Sequence, residues 1–222
     1  MLFFTPDLKT VKDMFKRFYF VLVLGAALAC SAAPSKPIIV DGVTNLVPTQ
    51  QQSTTCKAVA GLISGSNYKK VPLNDSLSVV IYDRFIKSLD ENRNYLLASD
   101  IADFEKYKTT LDDDIKNGNL NNVFYIFNVF QKRQLERTNY AVTQINNAFD
   151  FTKNETFTYD REKLPWSKSV TELNADWTKR VKYELLNLKL ATPDMAKNRE
   201  TLAKRYQTRL QQINQTQNDD VF

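Results

Sequence analysis

Residues 121–149 read NNVFYIFNVFQKRQLERTNYAVTQINNAF, and this stretch decides the fold class. No Pro or Gly interrupts it. Val123, Phe127 and Phe130 lead into Leu135, Val142, Ile145 and Phe149 at the spacing of a helical face, which predicts one helix of several turns. Its opening, Phe124-Tyr125-Ile126-Phe127, is apolar on more than one side, so that end belongs between neighbours rather than on a surface. The aromatic cluster is read as core, and no cofactor pocket is needed to account for it.

Helical periodicity continues on both sides. Upstream, Leu77, Ile81, Phe85 and Leu89 recur every fourth residue. Ser99 followed by Asp100 and Asp103 reads as an N-cap with acids in the first turn, where they complement the helix dipole. Ile101, Phe104, Lys108, Leu111 and Ile115 mark that helix's mostly apolar face, and Gly118 is placed to end it in a left-handed turn. Downstream, residues 150–168 break the period. Phe157-Thr158-Tyr159 suits a short strand or an ordered loop, and Pro165-Trp166 a turn with a packing aromatic.

Ser169 and Glu172 then have capping-box spacing, ahead of a stripe of Leu173, Trp177, Val181, Leu185 and Leu188. Thr192-Pro193 reads as a further N-cap with Pro in the first helical position. Met195, Leu202, Tyr206, Leu210 and Ile213 form the last seam. The expected architecture is all-α, an irregular multi-helix bundle of five or more helices. No repeat period suggests a helical solenoid.

Composition narrows the chemistry. The 222 residues allow one ordinary domain or two small ones, and 5 Gly and 7 Pro leave little turn material for a many-stranded sandwich. The absence of His removes Ser-His-Asp and Cys-His nucleophile activation and His-ligated metals, and two Cys cannot close a Cys-rich zinc site. Asp112, Asp113 and Asp114 are consecutive, so on a helix they point about 100° apart and read as solvated charges rather than a dyad. Asp219 and Asp220 fall at the chain end, where fraying is the default. The serines lie at caps or in the leader, not in a strained turn that would present a nucleophile. With no Gly-rich phosphate loop or metal cluster, no catalytic residue and no cofactor are expected. The net charge of +5 comes from interspersed acids and bases without a basic stripe, so nucleic acid is not an expected partner.

Near the N-terminus, Lys16-Arg17 precedes an uncharged run of 12 residues that closes on Ala27-Leu28-Ala29. A bilayer-spanning helix needs roughly 20 apolar residues. Residues 1–29 therefore read as a cleaved signal peptide for which Met14 would be the more usual start. Cys30 stands where a lipoprotein carries its lipid, although Leu28 is larger than the residue usual two places before. Cleavage after Ala29, Ala32 or Ala33 would instead give a soluble exported product, which is the favoured outcome. Cys56 is then a lone thiol or a partner for Cys30. Residues 30–56 contain Pro34, Pro37 and Pro48 and read as an extended leader, with the helical domain at 57–222.

Several stretches, taken in order, resemble the N-terminal region of bacterial tail-specific proteases, the carboxy-terminal processing peptidases. They are Ile81-Tyr82-Asp83-Arg84-Phe85, Tyr95-Leu96-Leu97-Ala98-Ser99-Asp100, and Gln131-Lys132-Arg133 with Glu136-Arg137. Tyr159-Asp160-Arg161, Pro165-Trp166, Glu172-Leu173-Asn174-Ala175-Asp176-Trp177 and Arg205-Tyr206 follow, so the likeness runs from about Tyr68 to Phe222. The resemblance implies a periplasmic Ser-Lys enzyme in which this helical region precedes a PDZ domain and a protease domain. The sequence stops at Asn218-Asp219-Asp220-Val221-Phe222, near where the family continues toward the PDZ domain. It is therefore expected to be truncated or split, without the catalytic Ser and Lys, and inactive alone. The implied partners are those PDZ and protease domains, in cis or as a split product, together with protein or peptide substrates and an adaptor protein. The implied role is to pack on the missing domains and help wall the path of the substrate. The competing expectation is a free-standing exported helical protein that binds an envelope partner.

Overall fold

Eight α-helices and one 3-10 turn form among residues 39–66 and 72–221, the part of the chain described by the computed structural model. In order they are α1 (Gln50–Ser66), α2 (Asp75–Asp90), α3 (Ala98–Phe104), the 3-10 turn (Glu105–Tyr107) and α4 (Leu111–Asn117). Then come α5 (Asn121–Gln144), α6 (Val170–Ala191), α7 (Met195–Gln215) and the short α8 (Asn218–Val221). The described residues contain no strand, only an isolated parallel bridge between Leu97 and Ser167. The chain is an all-α multi-helix bundle.

Helix α5 is its axis, 24 residues or about 36 Å at 1.5 Å per residue. It packs against α6 and α7. Leu135, Ala141 and Val142 of α5 meet Leu173, Trp177, Val181 and Leu185 of α6 and Leu202, Tyr206 and Leu210 of α7 in the largest apolar cluster. At the other end Ile126 and Phe130 join Tyr82 and Ile86 of α2 with Leu96, Phe104 and Leu111. Phe124 belongs to a third cluster, with Leu46 and Leu120. The many-sided apolar start of the helix is thus buried between neighbours, as its sequence requires.

Six local expectations need correction. Helix α5 ends at Gln144 rather than near Phe149. Asn147 donates its N–H to the Gln144 carbonyl and its side-chain amide to Gln144 Oε1. The backbone thus tightens into i to i−3 turns after Gln144, as helix ends commonly do, and Phe149 and Phe151 then fold back onto the largest cluster.

On α2 the period is right but the phase is one residue off. Ser78, Tyr82, Ile86 and Asp90 are buried, while Ile81, Phe85 and Leu89 flank them half-covered. The Ser78 hydroxyl donates to the Lys108 carbonyl and accepts from the Leu111 N–H, both at 2.9 Å. Those two bonds also explain why the single helix expected from Ser99 breaks into α3, the 3-10 turn and α4. Ser78 satisfies backbone groups at the break that a continuous helix would have paired.

Ser99 is not the cap. The helix starts at Ala98, and the Asp100 carboxylate reaches back to the Leu97 N–H at 2.9 Å. Likewise Thr192 closes α6 through its N–H to the Leu188 carbonyl, and Asp194 caps α7 by accepting the Lys197 N–H. By contrast Ser169 does cap α6, accepting the Glu172 N–H at 3.2 Å.

The leader is only partly extended. Thr49 and Gln52 form a reciprocal box, with Gln52 N–H donating to Thr49 Oγ1 and Thr49 N–H to Gln52 Oε1. Helix α1 therefore begins at Gln50, inside the stretch expected to be extended, and packs on α4.

Gly118 ends α4 as expected, with φ of 68°. It also lets α1 approach, since a Cβ there would lie 2.4 Å from the Ser53 carbonyl oxygen. Backbone cannot move aside as a flexible side chain can. Gly118→Ala should therefore lower unfolding stability by about 2 kcal/mol or more, from left-handed strain plus the clash. Urea denaturation followed by circular dichroism checks this, and an unchanged midpoint would contradict the packing described.

Candidate functional site

Residues 40–46 run along α5 as an arm, held at two points by asparagine side chains. Asn139 accepts the Val40 N–H on Oδ1 at 3.2 Å and donates Nδ2 to the Val40 carbonyl at 2.7 Å. Asn128 treats Leu46 in the same way, at 2.9 and 2.8 Å. Between these clasps the chain bows over a groove of about 480 Å³. Val40, Asp41 and Val43 form one wall, and Tyr125, Val129, Lys132, Leu135 and Glu136 of α5 form the floor. Glu136 also accepts a hydrogen bond from Arg133 at 3.0 Å. The groove offers amides, one ammonium and carboxylates around an apolar floor. That chemistry suits holding a polypeptide.

The candidate residues read from sequence do not converge on this groove. Cys30, the candidate lipidation site, lies outside the described residues. Asp112 is a correction, because it is only 1% exposed rather than solvated. Its Oδ2 takes the Lys116 ammonium at 2.8 Å while its buried Oδ1 finds no partner among the described residues. Asp113 is exposed, and Asp114 accepts the side-chain amides of Asn119 and Asn122. The three acids diverge, as helix geometry demands. Asp219 and Asp220 are not frayed: Asp219 accepts from Gln52 Nε2 at 2.9 Å and Asp220 from the Gln217 N–H at 2.8 Å. Cys56 donates its thiol to the Ile115 carbonyl at 3.8 Å, and burial pushes that thiol up from its ordinary value. Among the described residues no group of His, Cys, Asp or Glu is placed to hold a metal ion.

The stretches that carried the resemblance have visible structural work. Asp100 receives Arg133 through both oxygens, at 2.9 and 3.0 Å, joining α3 to α5. These hydrogen bonds hold the Arg133 guanidinium even further above its ordinary value. Arg161 pairs with Asp176 at 2.6 Å, fixing the long loop before α6 onto that helix. The Trp177 indole donates to the Asn94 carbonyl at 2.7 Å, and its ring lies against Tyr95 and Tyr206. Buried Asp90 turns the chain after α2 by accepting the N–H groups of Asn94, Tyr95 and Leu96 at 2.7, 2.8 and 2.9 Å. Burial pushes the Asp90 carboxyl up, while those donors and Arg161 pull it back. Each of these side chains positions backbone or another helix.

Partly buried ion pairs, capped helices and an arm clasped along the longest helix make this an all-α helical domain. The family described as "Tail specific protease N-terminal domain" matches residues 59–222, and the chain belongs to it. A curated relative, "Tail-specific protease" of Haemophilus influenzae, is 33% identical over 174 residues. The aligned part is 78% of this chain and 25% of that protein, so the chain spans about a quarter of the length of the curated relative it matches. None of the described helices is long and apolar enough to cross a membrane.

Both Asp90 oxygens accept N–H donors, so Asp90→Asn would turn an amide NH₂ against at least one of them. The loss should be about 2–3 kcal/mol of unfolding free energy, the usual range for a buried charge-assisted bond. Urea titration of the purified variant measures it.

Proposed function

We propose that this chain works as the helical domain of a periplasmic Ser-Lys tail-specific protease. It packs on the PDZ and protease domains of that enzyme, in cis or as a split product, and helps wall the path by which a substrate polypeptide reaches them. Cleavage chemistry is assigned to those other domains. The family match over residues 59–222 carries this reading.

A second observation supports the packing role. Val59, Leu62 and Ile63 line one face of α1 at helical spacing and are 46%, 65% and 44% exposed. An uncovered stripe of this kind gains roughly 25 cal/mol for each Å² of apolar surface that a partner domain removes from water. In the same reading residues 1–29 direct export and are removed, residues 30–56 are the leader, and 57–222 are the domain. Cys30 is retained as the alternative point of lipid attachment, and an adaptor protein as a further partner.

The test is complementation. The chain alone should release no fragments from an unstructured protein such as casein, and co-expression with separately encoded PDZ and protease domains should restore cleavage. Leu62→Glu should weaken that complementation about tenfold, as expected when a contact of one to two kcal/mol is lost. Turnover by the chain alone that survives rigorous purification and a serine-directed inhibitor control would overturn the assignment, as would a failure of Leu62→Glu to weaken complementation.

A further inference from the structure

The polar hold on residues 40–46 is made by side chains acting on backbone. Among the described residues, no backbone–backbone hydrogen bond reaches this segment. Each clasp satisfies the N–H and the C=O of one residue with the two ends of one amide. A closely spaced pair in an antiparallel ladder does the same, and that mode of recognition reads backbone rather than side chains. Asn128 and Asn139 stand about three helical turns apart, so both face the arm, roughly 16 Å from one another along α5 at 1.5 Å per residue. The six residue steps from Val40 to Leu46 reach up to about 20 Å when extended. An extended chain therefore spans the clasps with slack, and the slack is the bow over the groove. Gly42 lies in that bow, with open space where a Cβ would project. Leu46 is the segment's one buried side chain, against Leu120 and Phe124, while Val40 and Val43 rest half-buried on the largest cluster.

We infer that Asn128 and Asn139 form a sequence-tolerant clasp for extended polypeptide. Residues 40–46 are its tethered occupant, and another unstructured segment with an apolar residue in the Leu46 place can displace them. The balance favours the arm because tethering gives it an effective concentration of order millimolar. A free peptide sees only the fraction of molecules in which the arm has let go, so its apparent affinity is reduced by that fraction. This inference needs no catalytic domain and stands or falls apart from the protease assignment.

Two variants of the full chain separate the clasp from its occupant. Val40→Pro removes the N–H that Asn139 accepts and leaves both asparagines in place. Asn139→Leu removes the clasp. Hydrogen exchange should report a looser arm in both, with circular dichroism confirming that α5 to α7 remain folded. A fluorescein-labelled copy of residues 39–48 should bind Val40→Pro at least about tenfold more tightly than the parent, as when a closed fraction of nine-tenths is released. Asn139→Leu should show no such gain. In the parent chain, excess peptide should itself raise exchange in the arm. Equal gains in the two variants, no gain in Val40→Pro, or an arm unmoved by proline or by excess peptide would each overturn the inference.

Discussion

Helix α5 supplies side chains to every apolar cluster in the bundle: Leu135, Ala141 and Val142 to the largest, Ile126 and Phe130 to the second, and Phe124 to the third. A helix so placed cannot leave a wide face in water without exposing several large side chains, and hydrophobic burial scales with that area. The remaining elements are arranged around this demand. Helices α6 and α7 cover its C-terminal half, α2 with α3 and α4 covers its N-terminal half, and the arm lies along what is left.

Apolar packing is non-directional, so it does not by itself set how these layers are joined. Polar contacts with defined geometry do. The Asp100–Arg133 fork, the Arg161–Asp176 pair and the Trp177–Asn94 bond each tie an irregular segment to a helix. Asp90 shapes the turn that brings Tyr95 against Phe130 and Trp177. In a buried setting, losing one partner leaves the other unsatisfied, which costs more than the bond contributes. The residues that make the family resemblance recognisable are thus largely bracing residues.

Much of this was legible in the sequence, though unevenly. Leu173, Trp177, Val181 and Leu185 are buried as their spacing required, as are Leu202, Tyr206, Leu210 and Ile213. Gly118 ends its helix, and Ser169 caps the next but one. The phase of α2 was hidden because Ser78 and Asp90 are buried for their hydrogen bonds, and hydropathy marks such residues as surface. The start of α1 was hidden by its composition. Thr49 and Gln52 have the same capping-box spacing that located α6, but they follow a Pro-rich, polar leader. Asn128 and Asn139 carried no signal at all, since an exposed-face asparagine and a clasping one look identical until a second segment arrives.

The order of amino acids alone determined that this chain is helical, where its long axis lies, and which family it belongs to, because period, caps and short motifs are local properties. Tertiary structure decided which face of α2 turns inward, that Asp112 is buried, and that an extended arm lies along α5 between two amides. Those outcomes depend on contacts between segments distant in the chain, such as Ser78 with Leu111 and Val40 with Asn139, and a residue's neighbours in sequence do not encode what will desolvate it.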